Sequence, residues 1–171
     1  MTDAEFRDAY RAHKDVLYRF ARRMTDSAEA AEDIVHDAYL AVWRTTSKFD
    51  SARGTLRSFL LGVTRNLALQ RLRRDRPHDA LEEDASIAGP IDLAGLERAQ
   101  IVARAVATLP PLQREALILA EYEELSLEEI ARATNAELAA VKSRLHRARQ
   151  NLRRMLAPLL ETQGAVHGTN R

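Results

Sequence analysis

The chain has no cysteine among its 171 residues, and it has few glycines, prolines and aromatic residues. Without cysteine there is no disulfide framework, no cysteine-based zinc site and no thiol redox switch. Six glycines and five prolines leave long stretches without a helix breaker, and no segment alternates polar and apolar residues as a strand does. No apolar run approaches the roughly 18 residues that a membrane span needs. The composition predicts an all-α protein without membrane insertion of its own.

Patterns for metals, cofactors and catalysis are also missing. The five histidines are scattered and never fall at metal-ligand spacing. The sequence has no P-loop, glycine-rich dinucleotide turn or nucleophile elbow. The first ten residues lack the basic and apolar regions of a signal peptide. We therefore expect a cytoplasmic protein that holds no metal or cofactor and catalyses no reaction.

Charge divides the chain into three blocks, although the net charge is only +1. Residues 1–74 carry 14 basic and 10 acidic residues, and residues 98–171 carry 11 basic and eight acidic residues. Between them, residues 75–97 hold one basic and seven acidic residues. Two positive modules flanking an acidic connector predict two small helical domains joined by a flexible linker. We place the boundaries at 1–74, 75–95 and 96–157, followed by a frayed tail at 158–171.

Helical periodicity places three helices in the first domain. The first is expected from about Asp3 to Met24, and the second from a Ser27 cap to about Arg44. The third is expected from about Thr55 to Arg74. Its predicted core face consists of Leu56, Phe59, Leu60, Val63 and Leu67.

The second domain is predicted to contain a helix-turn-helix. Ser126 and Glu129 have the spacing of a capping box that starts a helix. Asn135 tolerates the left-handed conformation that the following turn requires. In the next helix, an apolar face steps by three and four residues, and the remaining side chains point away from it. The outward set is Lys142, Ser143, His146, Arg147, Arg149 and Arg153.

This outward set is a candidate DNA-reading face, because a basic helix after a turn is a common way to place side chains in a major groove. Between Leu138 and Leu160 there is no Asp or Glu. The alternative is an ordinary solvated basic face. The exclusion of acids beside a capped turn favours DNA binding.

A second acid-free run extends from Ser51 to Arg74. We expect Arg57, Arg65 and Asn66 to reach outward, beside a loop with Phe49 and Gly54 that is long enough to form a pocket. Aromatic and arginine side chains beside a loop can hold unstacked bases. An equally good interpretation of Phe49 alone is a core residue. The candidate set is Phe49, Gly54, Arg57, Arg65 and Asn66.

The helix before this run is acidic on one side. Glu32, Asp33, His36 and Asp37 lie together at helical spacing, next to Glu29. The side is either a solvated surface or a docking face for a basic protein surface, since an acidic patch would not approach DNA.

The three segments together resemble the extracytoplasmic-function sigma factors of bacterial RNA polymerase. The resemblance rests on residues 31–44 (AEDIVHDAYLAVWR), on residues 65–68 (RNLA) and on the stretch from Leu109 to Arg149. It covers about residues 5–156. It implies two helical domains, named regions two and four, which bind core polymerase and the minus-ten and minus-thirty-five promoter elements and help to melt the DNA.

The resemblance also implies a role for each candidate set. The helix around Asp33, His36 and Asp37 would dock on polymerase, and the Phe49–Thr55 loop with Asn66 would capture a flipped base of the minus-ten element. Lys142, Ser143, His146 and Arg147 would read the minus-thirty-five element, and a separate anti-sigma factor would be a partner. Two other classes remain open. An ordinary helix-turn-helix regulator would leave residues 31–74 without a function, and a sigma mimic would not need its basic faces.

Overall fold

The computed structural model describes residues 2–45, 49–75 and 91–166, and the regular structure in these segments is helical. None of the helices in them is both long enough and apolar enough to cross a membrane. The predicted all-α class is confirmed. The helices are α1 (Asp3–Thr25), α2 (Ala28–Arg44), α3 (Leu56–Asp75), α4 (Arg98–Thr108), α5 (Pro111–Leu117), α6 (Leu127–Thr134) and α7 (Leu138–Val166).

Local hydrogen bonds fix the ends of the first two helices, and of these the Ser27 cap was predicted from the sequence. The Thr2 amide donates to Glu5 Oε2 at 2.6 Å, and the Glu5 amide donates to Thr2 Oγ1 at 3.3 Å, which completes a capping box. Asp26 ends α1 in the left-handed conformation. The Ser27 hydroxyl then accepts from the Ala30 amide at 3.1 Å and starts α2. Helices α1–α3 form an N-terminal bundle.

Helix α3 is buried on more than one side, which the sequence pattern did not predict. Of its predicted core face only Leu60 is fully buried, and the other four side chains are half-buried. Leu61, Thr64, Ala68 and Leu69 are buried instead. The cause is that α3 packs against α1 and α2 and also against α6. The single apolar face predicted from the sequence therefore accounts for only part of the buried surface of α3.

Two prolines separate the first helices of the C-terminal bundle, α4–α7. Helix α4 ends at Thr108, and Pro111 occupies the first turn of α5, where its missing amide hydrogen costs nothing. Helix α5 continues into a π-helical turn at Ile118–Tyr122. In that turn the Glu123 amide donates to the Ile118 carbonyl at 3.1 Å. The π-helical turn has no signal in the sequence pattern.

The prediction of a frayed tail after Pro158 is wrong, because α7 continues through this proline to Val166. Proline's fixed φ is compatible with a helix. Its cost is one lost backbone hydrogen bond and crowding of the preceding turn, and α7 forms despite this cost. Just before it, Met155 is buried and Leu156 is half-buried against the core. This packing holds the helix up to the proline. Residues 167–171 lie outside the described residues.

The two bundles pack against each other around one continuous apolar core. Helix α3 lies on α6 at Gly62, where an added Cβ would come within 3.0 Å of the Ala133 carbonyl oxygen. The buried Arg114 guanidinium donates to the Leu109 carbonyl within the C-terminal bundle and to the Met24 carbonyl of α1. Most of the predicted linker, residues 76–90, lies outside the described residues, so its predicted flexibility is untested.

Candidate nucleic-acid interface

The helix-turn-helix is formed by α6, the turn at Asn135 and α7. The Ser126 amide donates to Glu129 Oε2 at 2.8 Å, and the Glu129 amide donates to the Ser126 hydroxyl at 3.2 Å. Asn135 adopts φ 50° and ψ 44°, which lies in the left-handed region. Both local predictions are confirmed. They set the angle at which α7 leaves the turn.

One side of α7 is packed and the other is open. Val141, Leu145 and Ala148 are buried, as the three-and-four spacing predicts. On the opposite side Lys142 and His146 are exposed, whereas Ser143 and Arg147 are half-buried. These four side chains fall within two helical turns, which is the arrangement that can enter one major groove.

The two arginines further along α7 differ in their surroundings. Arg153 is exposed. Arg149 donates to Glu121 Oε1 from Nε at 3.0 Å and from Nη2 at 2.5 Å, and about half of each side chain is exposed. Arg149 must therefore leave a carboxylate before it can contact a phosphate.

The loop before α3 contributes to a cleft between the bundles. Asp50 Oδ1 accepts from the Ala52 amide at 2.9 Å and starts a short 3₁₀ turn at Ser51–Arg53. Gly54 follows at φ 152°, a conformation that side chains disfavour. The Phe49 ring lies 5.5 Å from the Phe59 ring.

The cleft has a volume of about 510 Å³. On one side it is lined by the aromatic pair, Gly54 and Asn66 of the N-terminal bundle. Glu129, Arg132 and Asn135 of the C-terminal bundle line its other side. The cleft brings Phe49, Gly54 and Asn66 together, as the sequence predicts, but α6 faces them.

Arg57 and Arg65 do not reach outward, contrary to the sequence-based prediction. Arg65 donates to both carboxylate oxygens of Glu115, at 2.5 and 2.7 Å. Arg57 donates to Glu123 Oε2 at 2.7 Å and to the Glu123 carbonyl at 3.0 Å. The physical reason is that the two glutamate side chains are at most 3% exposed, and a buried carboxylate needs a charged partner.

Sequence analysis missed these two glutamates. Burial raises the pKa of the Glu115 carboxyl, and the Arg65 guanidinium opposes that rise. One signal was available, since Arg114 and Glu115 interrupt an apolar run, LQREALILA, that is otherwise typical of a buried helix. The sequence did not indicate that the partner of Glu115 lies 50 residues earlier.

The acidic side of α2 is a separate surface. Glu32, Asp33, His36 and Asp37 are all exposed. Asp33 Oδ2 lies 3.6 Å from Arg71 Nη1 of α3, so part of its charge is balanced within the bundle. The remaining charges face solvent. The predicted grouping on one side of α2 is confirmed, and its role stays a prediction.

Comparison with known proteins matches both bundles to sigma-factor regions. The family model for sigma-70 region 2 matches residues 9–77, and the model for sigma-70 region 4 matches residues 99–152. The ECF RNA polymerase sigma factor SigW of Bacillus subtilis is 30% identical over 171 residues, covering 90% of each chain. SigK of Mycobacterium tuberculosis H37Rv is 30% identical over 162 residues, covering 90% of this chain and 86% of SigK.

A solved structure has the same architecture. The sigma factor RpoE of Bartonella quintana, in complex with the anti-sigma factor NepR, superposes with a TM-score of 0.70 at 25% identity. The superposition covers 90% of this chain and 97% of RpoE. The chain belongs to the extracytoplasmic-function sigma factors, which direct RNA polymerase to promoters for the initiation of transcription.

Proposed function

We propose that this sigma factor binds polymerase and the two promoter elements through three separate surfaces. The acidic side of α2 binds core polymerase, the loop before α3 holds the minus-ten element, and the open side of α7 reads the minus-thirty-five element. The observation that carries the proposal is that one cluster of exposed acids lies on α2, whereas α7 exposes basic side chains and, from Leu138 to Leu160, contains no acid. The two domains are residues 1–74 and 96–157, joined by residues 75–95.

The minus-thirty-five role rests on the open side of α7. Lys142, Ser143, His146 and Arg147 supply donors and acceptors for base edges, while the buried side keeps the helix in place. Arg149 and Arg153 lie further along and contact phosphates, which position the helix and carry no sequence information.

The minus-ten role rests on the cleft. A base extruded from the duplex stacks on an aromatic ring such as Phe49, and the Asn66 side-chain amide hydrogen-bonds its edge. Gly54 lets the loop backbone approach closely. Arg57 and Arg65 lie on the same helix as Asn66, and each must leave its glutamate, Glu123 or Glu115, before it can contact a phosphate of the melted strand.

The polymerase role rests on Glu32, Asp33, His36 and Asp37. Their exposed acidic surface is unsuited to DNA and suited to a basic protein surface. An anti-sigma factor is a second partner of this chain, as NepR is of RpoE in the complex described above. The chain acts where polymerase acts, in the cytoplasm, and catalyses no reaction itself.

Run-off transcription tests the proposal. Core polymerase with this protein, on a pool of promoters, should yield transcripts from a defined subset, and the protein alone should bind duplex DNA weakly. A regulator that works without polymerase would instead bind one duplex site tightly and support no transcript. A sigma mimic would bind an anti-sigma factor and support no transcript.

A further inference from the structure

We propose that the cleft between the bundles binds a free purine nucleotide. The walls of this cleft come from both bundles, and its α6 wall takes no part in the contacts proposed for promoter DNA. The binding site is inferred from the residues of the cleft alone. Only its consequence for minus-ten binding rests on the proposed function.

The cleft has the size of a small-molecule site. Its volume of about 510 Å³ falls in the range of about 300–1,000 Å³ that such sites occupy. Its two walls meet where α3 lies on α6, since a Cβ added at Gly62 would come within 3.0 Å of the Ala133 carbonyl oxygen. A ligand in the cleft is therefore enclosed by protein on two sides.

Two arginine side chains, one on each wall, provide positive charge for a phosphate. Arg53 ends the 3₁₀ turn before α3, Arg132 lies on α6, and both side chains are exposed. Within the part of the chain that the structure describes, neither guanidinium has a carboxylate partner. Arg57 and Arg65, by contrast, are each held by a glutamate. Arginine binds a phosphate through two parallel hydrogen bonds, so the two arginines of the cleft favour a phosphorylated ligand.

Aromatic rings and amides in the same cleft suit a purine base. The half-buried Phe49 and Phe59 rings lie 5.5 Å apart at an angle of 52°, and both line the cleft. Any base can stack on such a ring. Asn66 and Asn135 line the cleft on opposite walls, and an asparagine amide pairs with the amino group and ring nitrogen at the edge of adenine. The cleft therefore favours a purine of the adenine type.

The acidic side chains of the cleft suit a ribose. Asp50 Oδ1 accepts from the Ala52 amide at 2.9 Å, and Glu129 Oε2 accepts from the Ser126 amide at 2.8 Å. These bonds orient each carboxylate, and its second oxygen can accept from a ligand. In nucleotide sites a carboxylate commonly accepts a hydrogen bond from a ribose hydroxyl. The base, the sugar and the phosphate of one nucleotide thus each have a partner of matching chemistry in the cleft.

Calorimetric titration of the full chain with adenosine monophosphate tests the site. Arg53→Gln and Arg132→Gln should each lower the affinity at least about tenfold, because each removes a charged hydrogen-bond donor from the phosphate. Arg104→Gln is the matched control, since Arg104 is exposed on α4, away from the cleft, and this change should alter the affinity less than about twofold. No binding at millimolar nucleotide, or equal affinities in the parent and Arg132→Gln, would overturn the proposal.

Fragments of the nucleotide test which of its parts the cleft recognises. Adenosine and ribose 5-phosphate should each bind at least about tenfold more weakly than adenosine monophosphate, since each lacks one recognised part. Asn135→Gly removes an amide and keeps the turn, because glycine readily adopts the φ of 50° found there. This variant should weaken binding of the nucleotide and leave binding of ribose 5-phosphate unchanged. Ribose 5-phosphate binding as tightly as the nucleotide would overturn the assignment, because the cleft would then recognise only a phosphate.

Phe49 and Asn66 also belong to the proposed minus-ten site, so the nucleotide and the melted strand should compete. Adenosine monophosphate should displace a fluorescent, mixed-sequence single-stranded oligonucleotide from the parent. Arg132→Gln should need at least about tenfold more nucleotide for the same displacement. An oligonucleotide that stays bound at saturating nucleotide would overturn the competition. An oligonucleotide that does not bind the parent at all would count against the proposed minus-ten role, whereas calorimetry decides the nucleotide site by itself.

Discussion

Neutralising Glu121 should strengthen binding to the minus-thirty-five element, even though Glu121 is not proposed to touch DNA. The Glu121 carboxylate accepts two hydrogen bonds from the Arg149 guanidinium, at 3.0 Å from Nε and at 2.5 Å from Nη2. Arg149 must break this pair to reach a phosphate. Glu121→Gln removes the competing charge and leaves the side chain nearly the same size.

The expected gain in affinity follows from how exposed the Arg149–Glu121 ion pair is. About half of each side chain is exposed, so the pair contributes at most about 1 kcal/mol. Releasing Arg149 should therefore raise affinity by up to about fivefold. If Arg149 then neutralises one further phosphate, the slope of log K against log salt should steepen by up to about 0.9.

Fluorescence anisotropy with the full chain and a duplex carrying the element, at several salt concentrations, measures both quantities. The control is the same substitution in an Arg149→Ala background, where it should have little effect. An equal gain in both backgrounds would show that Glu121 acts through general charge repulsion. Weaker binding in the single variant would refute the competition altogether.

Four further predictions concern other parts of the chain. Arg147→Ala should cost about 1–3 kcal/mol and relax preference at one or two base pairs, whereas Arg153→Ala should weaken all sequences alike and lower the salt slope by about one unit. A base-by-base scan of the element distinguishes them, and a uniform loss for Arg147→Ala would contradict its role in base reading. Asp37→Arg should weaken the affinity for core polymerase with unchanged circular dichroism, and an unchanged affinity would mean that the acidic side is only solvated. Asn66→Ala should reduce permanganate reactivity on duplex promoters more than on pre-melted ones, while an equal loss on both templates would exclude a specific role in opening. Tyr39→Phe should lower the free energy of unfolding by about 0.5–1.5 kcal/mol at neutral pH, since the phenol donates to the Ala9 and Tyr10 carbonyls at 3.3 Å. Burial raises the pKa of Tyr39, so this residue's contribution to stability is lost as pH rises above about 10, and the variant should show a flatter alkaline urea-unfolding profile than the parent.

Local structure in this chain could be predicted because it depends on neighbouring residues. The Ser126 capping box, the left-handed Asn135 and the start of α5 at Pro111 each follow from side-chain chemistry within four residues. The buried side of α7 follows from spacing alone. These features were enough to find the helix-turn-helix and the candidate readers on it.

Contacts between the bundles could not be predicted in the same way. Arg65 carries no local sign that its partner is Glu115, and Gly62 carries none that it lies against Ala133. The pattern treated α3 as a surface helix with one buried side, whereas α6 covers a second side. The predicted frayed tail at residues 158–171 differs from the structure for another reason, because α7 continues through Pro158, whose φ is compatible with a helix.

Transcription from a promoter library tests the central claim most directly. Core polymerase and this protein act on templates with random sequence in both elements, and the productive templates are sequenced. The account predicts two separate blocks of selected bases, with Asn66→Ala relaxing only the downstream block and His146→Ala only the upstream one. A single selected block, or no dependence of the transcripts on this protein, would contradict it.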